Sequence, residues 1–370
     1  MFIDLLRKEL ISSLGNYFHD NYDAYTHGKV SFAKRLINMG KFFFYNKLVL
    51  GTLLKSDYFY QQLFLRKLYG LDKHVDGLNF FYDKLADENS KQLLLKLMAF
   101  RILGYVKVKL PLSNPEYWNG IKKLDGLVTK EEKLKLNCFP WQLEQFDLTK
   151  SGTPVKVYFN PKGAYTTFCL KQYEYKNNNN IVKAEAGDVV LDLGGCYGDT
   201  GLFFANETGS NGKVYVFEFI PDNISVIEKN LEKNSDLKNT IQVVDNPVWE
   251  TSNKEVYFIS KGAASKVSMV PIENCDGKKY TISIDDFVKE NHLAKVNFIK
   301  TDIEGAEPFA LRGAVNTLRS HKPKLAISIY HNMSDFVNII KYISDLNLGY
   351  KFYLGHFTIY ASETVLFAKV

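Results

Sequence analysis

A glycine-rich stretch, DLGGCYGD at residues 192–199, carries the clearest chemical signal in this 370-residue sequence. It follows the apolar run VVL and precedes a segment with helical spacing. Glycines at such a turn allow the backbone to approach a ligand closely, and a carboxylate at the end of the next strand can bind ribose hydroxyls. Glu218 is that carboxylate, because it ends the run VYVFE, 20 residues beyond Gly198. This order of strand, loop, helix, strand and acid predicts a nucleotide-binding unit.

The spacing within the loop separates two cofactor classes. Gly194, Gly195 and Gly198 follow the pattern G-G-x-x-G, whereas dinucleotide-binding proteins have G-x-G-x-x-G. Asp192 stands two residues before the first glycine, and a carboxylate aimed at the loop would oppose a pyrophosphate but attract a cationic ligand. S-adenosylmethionine carries an amino group and a sulfonium. The loop therefore favours a methyl donor over NAD, with a nucleotide-dependent oxidoreductase as the alternative.

Polar side chains also follow two other predicted strands. The run KVNFIKTDIEGAE brings Lys300, Asp302, Glu304 and Glu307, and the run SIYH brings Tyr330 and His331. Methyl transfer to a hydroxyl group requires removal of its proton, and imidazole titrates near physiological pH. We expect His331 to be the general base, with Lys300 beside it in the catalytic group. Asp302 and Glu304 are alternatives that could orient the acceptor, accept its proton or hold a divalent ion through their oxygens, so metal dependence stays open.

Three weaker candidates lie elsewhere in the sequence. His356 precedes the last predicted strand and is interpreted as a turn residue, with contact to the acceptor as the alternative. Gln172 and Tyr173 precede the first strand of the predicted sheet, where either a lid over the cofactor or ordinary surface packing fits. Asp199 and Thr200 are expected to cap the helix that follows the loop.

After residue 186, short apolar strands alternate with helical segments. The strand-like runs are VVLDLGG, KVYVFEF, TIQVVDN, KVNFIKTD and KLAISIYH. Such alternation predicts an α/β fold with a mainly parallel sheet and helices on both faces. Residues 350–354 and 363–368 are joined by a short connection, so we expect them to pair antiparallel at one edge.

The first 150 residues differ in charge and in pattern. They hold 23 basic and 16 acidic side chains, whereas residues 151–370 are nearly neutral. Leucines and aromatic residues recur at helical spacing up to about residue 105, and Thr129 with Glu132 resembles a capping box that would begin a short helix. We therefore predict a helical domain over residues 1–150 and a Rossmann-like domain over residues 151–370. Because acids interrupt the lysines, solvated helix faces are favoured over a nucleic-acid or membrane surface.

The remaining composition narrows the class of protein. The four cysteines lack metal-ligand spacing, and no signal peptide or spanning segment is apparent, so we expect a cytoplasmic protein without a disulfide framework. Peripheral membrane contact stays open, and the oligomeric state is not predicted.

Residues 155–370 resemble the FkbM-type family of S-adenosylmethionine-dependent class I methyltransferases. The resemblance rests on the runs GDVVLDLGGCYGDTG, VFEF, ISIDDF and FIKTDIEGAEPFALRGA, of which the core DIEGAE at residues 302–307 is the most specific. It implies a Rossmann-like sheet with an antiparallel C-terminal strand. It also implies an O-methyltransferase that acts on a sugar or related metabolite in surface-polysaccharide or secondary-metabolite assembly.

The resemblance also assigns cofactor contacts. Asp192, Gly194, Gly195, Cys196 and Gly198 would form the loop around the methionine moiety. Glu218 and the neighbouring Phe219 would lie at the ribose, and Asp245 and Asn246 at the adenine. Pro247 departs from the family pattern, in which a small residue is usual. The acceptor is expected to be a small molecule or carbohydrate. Recruitment to RNA or to a membrane surface through the basic half is an alternative reading.

Overall fold

A computed structural model describes residues 2–18, 20–23, 71–131, 133–136, 142–260, 262 and 265–370. Part of the predicted N-terminal helical pattern, between residues 24 and 70, lies outside the described residues. So do Glu132 of the expected capping box and one of the four cysteines, Cys138.

The described strands fall into one large sheet and three small ones. In chain order they are β1 (Leu134–Lys135), β2 (Gln142–Asp147), β3 (Lys156–Phe159), β4 (Tyr175–Asn177), β5 (Asn180–Val182), β6 (Val189–Leu193), β7 (Lys213–Phe217), β8 (Ile241–Val244), β9 (Glu255–Ile259), β10 (Lys266–Ser268), β11 (Gly277–Tyr280), β12 (Phe298–Thr301), β13 (Lys324–Ser328), β14 (Lys351–His356) and β15 (Thr364–Lys369). The large sheet has seven strands in the order β14-β15-β13-β12-β6-β7-β8.

The described α-helices connect or flank these strands. They are α1 (Phe2–Leu14), α2 (Val75–Lys84), α3 (Glu88–Leu103), α4 (Pro115–Lys123), α5 (Pro161–Ala164), α6 (Asp199–Thr208), α7 (Pro221–Glu232), α8 (Ser235–Lys238), α9 (Ile284–Glu290), α10 (Glu307–Arg312), α11 (Val315–His321) and α12 (Asp335–Asp345). Short 3₁₀ turns occupy Leu71–His74, Leu124–Leu127 and Leu148–Ser151, and a π-helical turn occupies Tyr165–Cys169.

The large sheet is parallel except for one strand. β13, β12, β6, β7 and β8 pair parallel with one another, and β15 pairs antiparallel with both β13 and β14. The predicted α/β class and the predicted antiparallel C-terminal strand are therefore confirmed. All four residues of β12, at the centre of the sheet, are buried, as expected for a strand covered on both faces.

Alternate residues of the central strands supply two hydrophobic cores. On one face, Val190, Val216 and Phe298 pack in a cluster that includes Leu202 and Phe204 of α6. The opposite face contributes its side chains to a second cluster with the N-terminal helices and with α12. The period of two along each strand determines which core a residue enters.

The N-terminal helices share the second core with the sheet. Phe81 of α2 lies 6.4 Å from Phe336 of α12, measured between ring centroids, and both side chains are fully buried. In addition, the Ala86 amide donates to the Phe352 carbonyl of β14 at 2.8 Å. Thus α2, α3 and the sheet form one packed unit in the described residues, while the division of the chain at residue 150 stays a prediction.

Two segments differ from the sequence-based expectation. The short helix expected at Thr129 is wrong: the Thr129 amide donates to the Gln145 carbonyl, and Val128 forms a bridge with Phe146, so this segment runs along β2 instead. Residues 255–280 were not assigned to strands, yet they contain the small antiparallel sheet β10-β9-β11. None of the helices among the described residues has the length and apolarity needed to cross a bilayer.

Replacing the aromatic side chain that joins the helices to α12 tests the shared core. We expect Phe81→Ala to lower the free energy of unfolding by about 3–5 kcal/mol, because it opens a cavity between α2 and α12. Ile11→Ala, at a half-exposed position of α1, is the control and should change stability by about 0.5 kcal/mol or less. Urea unfolding of the full chain measures both. Equal small effects would contradict a common core.

Candidate active site

A cavity of about 550 Å³ opens at the carboxyl ends of β6, β7, β8 and β12. Ligands of open α/β sheets bind at this edge, and the volume is in the range of small-molecule sites. The predicted site residues that line it are Gly194, Cys196, Glu218, Phe219, Asn246, Asp302 and Glu304. The wall opposite the strand ends includes Val256 and Val267 of the β10-β9-β11 sheet.

The glycine loop is held against the sheet by close backbone packing. Gly194 has φ +85°, and a Cβ atom there would meet the carbonyl oxygen of Asp302. A Cβ atom on Gly195 would meet the side chain of Val216 in β7. Gly198 has φ +81° and is the N-cap of α6. The first two glycines are thus required by the contact of the loop with β12 and β7, in addition to any ligand that the loop binds.

A buried ion pair lies beneath this loop. Asp192 of β6 and Lys300 of β12 are direct neighbours in the parallel register, and the Lys300 Nζ is 2.9 Å from an Asp192 carboxylate oxygen. Lys300 also donates to the Gly194 carbonyl at 2.7 Å, and the Thr200 hydroxyl of α6 donates to Asp192 at 2.6 Å. Asp192 and Lys300 are both buried and do not line the cavity.

Lys300 is charged in this environment despite its burial. Burial alone lowers the pKa of its ammonium group, but the carboxylates of Asp192, Asp302 and Asp199 outweigh that effect and raise the pKa above its ordinary value. The negative charge of Asp192 is therefore balanced by the ammonium group of Lys300. The pair links the loop, α6 and the two central strands.

Glu218 occupies the predicted position at the end of β7. Its carboxylate accepts hydrogen bonds from the Phe219 and Ile220 amides, both at 2.8 Å, and from the Asn223 side chain at 3.0 Å. Burial raises the pKa of Glu218, and these hydrogen bonds offset part of the shift. The side-chain carbonyl oxygen of Asn223 is buried and has no hydrogen-bond partner among the described residues, and Asn223 lines the same cavity. The sequence interpretation did not include Asn223.

The two residues expected at the adenine differ in position. The Asn246 side chain donates to the Tyr280 carbonyl of β11 at 3.0 Å and lines the cavity. Asp245 forms an ion pair with Lys279 and does not line it. Pro247 and Trp249 also face the cavity, so this end is largely apolar.

A cluster of acidic residues lies at the opposite end of the cavity. Asp302 follows β12 and accepts hydrogen bonds from two tyrosines, the buried Tyr173 at 3.0 Å and the half-buried Tyr330 at 3.2 Å. Glu307, at the start of α10, is fully buried and accepts from the Ile303 amide at 2.8 Å. Glu304 is the exposed member of the cluster, and its backbone has φ +57°.

His331, which follows β13, lies among these carboxylates. Its Nε2 atom is 3.4 Å from Asp302 and 3.8 Å from Glu304, and its Nδ1 atom is 3.2 Å from Glu307. Burial lowers the pKa of the imidazole, but the three carboxylates outweigh burial and raise the pKa to about 11. In this arrangement His331 carries a proton at neutral pH. The geometry thus favours a carboxylate over His331 as the group that accepts a proton.

Four residues that the sequence left ambiguous have defined positions. Tyr173 contacts the cluster through Asp302, and the neighbouring Gln172 donates to Glu363 at 2.7 Å. His356 ends β14, buried beside the Thr364 hydroxyl at 2.9 Å. The expected capping by Asp199 and Thr200 is wrong: Gly198 is the N-cap of α6, Asp199 accepts from the Thr167 hydroxyl, and Thr200 donates to Asp192. The sequence pattern does not single out Glu363, because this residue precedes β15 and meets Gln172 only in the folded chain.

The cavity therefore has two chemically distinct ends. One end, near Glu218 and Asn246, has an apolar surface with a few hydrogen-bonding groups. The other end, near Asp302, presents carboxylates that can attract a positive charge or accept a proton. An elongated cationic molecule would fit this polarity, with its reacting group at the acidic end.

Comparisons with known proteins agree with this architecture. Residues 192–352 match the family described as methyltransferase FkbM domain. The crystal structure of methyltransferase FkbM from Methylobacillus flagellatus KT is 20% identical, with a TM-score of 0.52 over 80% of this chain and 59% of that chain. This chain thus spans less than two thirds of that protein's length, and the likeness shows a common fold.

Two further structures match more weakly. A putative rRNA-methylase from Clostridium thermocellum is 13% identical, covering 50% of this chain and 87% of that chain with a TM-score of 0.34. Aeropyrum pernix fibrillarin in complex with natively bound S-adenosyl-L-methionine is 14% identical, covering 65% of this chain and 99% of that chain with a TM-score of 0.32. A comparison with curated proteins found no match.

Removing one partner of the buried ion pair tests its structural role. We expect Lys300→Met to lower the free energy of unfolding by about 3–5 kcal/mol, because Asp192 would be left buried without a cation. The double variant Asp192→Asn with Lys300→Met should recover part of that loss. Lys341→Met, at an exposed pair with Asp345, is the control and should cost about 0.5 kcal/mol or less. Urea unfolding measures all three, and a Lys300→Met variant as stable as the control would refute the role.

Proposed function

We propose that this methyltransferase, in which residues 192–352 form the FkbM domain, transfers a methyl group from S-adenosylmethionine to a hydroxyl group of a sugar or related metabolite. The observation that carries the proposal is the continuous cavity from Asn246 past Glu218 to Asp302, at the carboxyl ends of four parallel strands. The nucleoside would lie at the apolar end and the sulfonium beside the carboxylates.

Glu218 and Asn223 provide the polar contacts for the nucleoside. Two backbone amides and the Asn223 amide hold the Glu218 carboxylate, and its remaining lone pairs can accept hydrogen bonds from ribose hydroxyls. The unpartnered carbonyl oxygen of Asn223 offers a further acceptor next to it. Phe219, whose ring lies edge-on to Phe258, lines the same part of the cavity and would limit the access of water.

The carboxylates of Asp302 and Glu304 would act on the methyl acceptor. Both line the cavity, and they favour the positive sulfonium through the Coulomb interaction. The acceptor oxygen bonds to the methyl carbon as the carbon–sulfur bond breaks, its proton passes to a carboxylate, and S-adenosylhomocysteine leaves as a neutral sulfide. Proton transfer to a positioned base contributes about 10²–10⁴ in rate, and positioning of the reactants contributes more.

The nature of the acceptor rests on the FkbM resemblance. A carbohydrate acceptor in surface-polysaccharide or secondary-metabolite assembly agrees with hydroxyl chemistry at a carboxylate-lined site. In this scheme the acceptor can be uncharged, because the carboxylates at the acidic end of the cavity interact with the sulfonium of the cofactor.

Calorimetric titration of the purified chain with S-adenosylhomocysteine and with NAD tests the cofactor. We expect one S-adenosylhomocysteine site per chain, and Glu218→Ala should weaken binding by about 10- to 150-fold, because a hydrogen bond to a charged group contributes about 1.5–3 kcal/mol. Glu228→Ala, at an exposed position of the same helix as Asn223, should leave affinity unchanged. Binding of NAD without binding of S-adenosylhomocysteine would overturn the proposal.

The role of Asp302 is tested by turnover with a panel of glycoside and nucleotide-sugar acceptors, followed by the formation of S-adenosylhomocysteine. Asp302→Asn keeps the shape of the side chain but removes its proton-accepting capacity. We expect turnover to fall by about 10²–10⁴ while the affinity for S-adenosylhomocysteine changes little. Asp345→Asn serves as the control because its carboxylate is exposed, pairs with Lys341 and does not line the cavity. Unchanged turnover in Asp302→Asn would exclude the carboxylate from the reaction.

A further inference from the structure

The acidic cluster has the donor composition of a metal site. Asp302, Glu307 and His331 each offer one ligand atom, and these atoms lie within 4.8 Å of one another. Carboxylate and imidazole ligands bind divalent metals at about 2.0–2.2 Å, which places neighbouring donors roughly 3–3.5 Å apart. The separation of 3.2 Å between His331 Nδ1 and Glu307 already falls in that range, while Asp302 contacts the other ring nitrogen, Nε2, at 3.4 Å. Small side-chain movements would bring all three donors onto one ion.

Buried polar atoms at this place have free capacity to bind a ligand. Glu307 is fully buried, and among the described residues its Oε2 atom has no hydrogen-bond partner. The His331 side chain is 9% exposed, and within the part of the chain that the structure describes its ring nitrogens have ion-pair contacts with carboxylates but no aligned hydrogen bond. Leaving such groups unsatisfied is costly in a protein interior, and native structures contain few of them. A cation bound between them would satisfy both side chains.

The charge of the acidic cluster also favours a bound cation. Three carboxylates, from Asp302, Glu304 and Glu307, surround one imidazole. The nearby ammonium group of Lys300 forms its ion pair with Asp192. When the imidazole binds an ion in its neutral form, the three carboxylates carry an excess of negative charge that one divalent ion would largely offset.

Outer contacts hold the donors in place. The Tyr173 and Tyr330 hydroxyls both donate to Asp302, and the Ile303 amide donates to Glu307. Each contact leaves lone pairs on the carboxylate for a metal. Partners of this kind orient metal ligands, and their loss typically weakens metal affinity about 10- to 100-fold.

We propose that Asp302, Glu307 and His331 bind a divalent first-row transition-metal ion at the acidic end of the cavity. Two oxygens and one imidazole nitrogen suit Mn²⁺, Fe²⁺ or Zn²⁺ better than Mg²⁺ or Ca²⁺, which prefer oxygen alone. Three protein ligands leave coordination positions open, as in catalytic metal sites. Glu304, whose carboxylate is 3.8 Å from His331 Nε2, is exposed and lines the cavity.

The ion would contribute to methyl transfer by binding the acceptor hydroxyl, a role that rests on the proposed function. Coordination lowers the pKa of a bound hydroxyl group. Its proton would pass to Glu304, the acceptor oxygen would bond to the methyl carbon, and the carbon–sulfur electron pair would remain on sulfur. The metal keeps its oxidation state throughout, so no oxidant or reductant is needed.

Binding of Mn²⁺ to the full chain, after treatment with chelator and dialysis, tests the site. Loss of the free Mn²⁺ signal in electron paramagnetic resonance should reveal one site per chain. Electron spin-echo modulation from a directly bound imidazole nitrogen should be present in the unmutated protein, and Zn²⁺ should displace the Mn²⁺. Absence of binding, or binding without nitrogen modulation, would overturn the proposal.

Variants assign the ligands. Glu307→Gln and His331→Gln should each weaken Mn²⁺ binding about tenfold or more, whereas Asp345→Asn should have no effect. Circular dichroism and thermal unfolding of each variant identify any variant that fails to fold. The nitrogen modulation is measured on the unmutated protein, so it tests imidazole binding to the metal even if a variant does not fold. Folded variants with unchanged affinity would contradict the assignment.

The two proposals fail separately. Calorimetry with S-adenosylhomocysteine on metal-free protein tests the cofactor site without the ion. Cofactor binding with no Mn²⁺ binding would remove the metal and leave the methyltransferase scheme. Mn²⁺ binding with no cofactor binding would leave the metal site and remove the proposed donor.

Discussion

The buried pair of Asp192 and Lys300 fixes the centre of the molecule. It joins neighbouring residues of β6 and β12, and the same ammonium group holds the Gly194 carbonyl at the start of the glycine loop. Thr200 ties Asp192 to the first turn of α6, and Lys300 also lies over the Tyr173 ring. Taking two charges out of water is costly, so such a pair persists only where its geometry is supported on every side. Here that support comes from the loop, the helix and the tyrosine that also contacts Asp302.

This constraint accounts for the arrangement of the cavity. With the loop packed against the Asp302 carbonyl, the ends of β6 and β12 are held at a fixed distance, and Glu218 at the end of β7 faces the space between them. The segment after β8 lines the apolar end of the cavity, and the segment after β12 lines its carboxylate-bearing end. Because Lys300 balances Asp192, the acidic end keeps its negative charge for a sulfonium, an acceptor proton or a metal ion.

Much of the sheet was predictable from the sequence, because each central strand is a short apolar run followed by turn residues. The loop and Glu218 were found for the same reason: their spacing follows one βαβ unit. The β10-β9-β11 sheet was missed because its strands are only three to five residues long, too short to establish a clear period in the sequence. The contacts of Tyr173 and Glu363 could not be read from spacing, since distant segments meet only in the folded chain. The sequence favours His331 as the general base because it does not reveal the three carboxylates that surround the imidazole ring in the fold.

A crystal structure of the full chain with S-adenosylhomocysteine tests the central claim most directly. We predict that the ribose hydroxyls lie within hydrogen-bonding distance of Glu218, that the adenine lies near Asn246, and that the sulfur faces Asp302. A ligand bound with its sulfur away from the carboxylates, or bound outside the cavity at the ends of β6, β7, β8 and β12, would contradict the account.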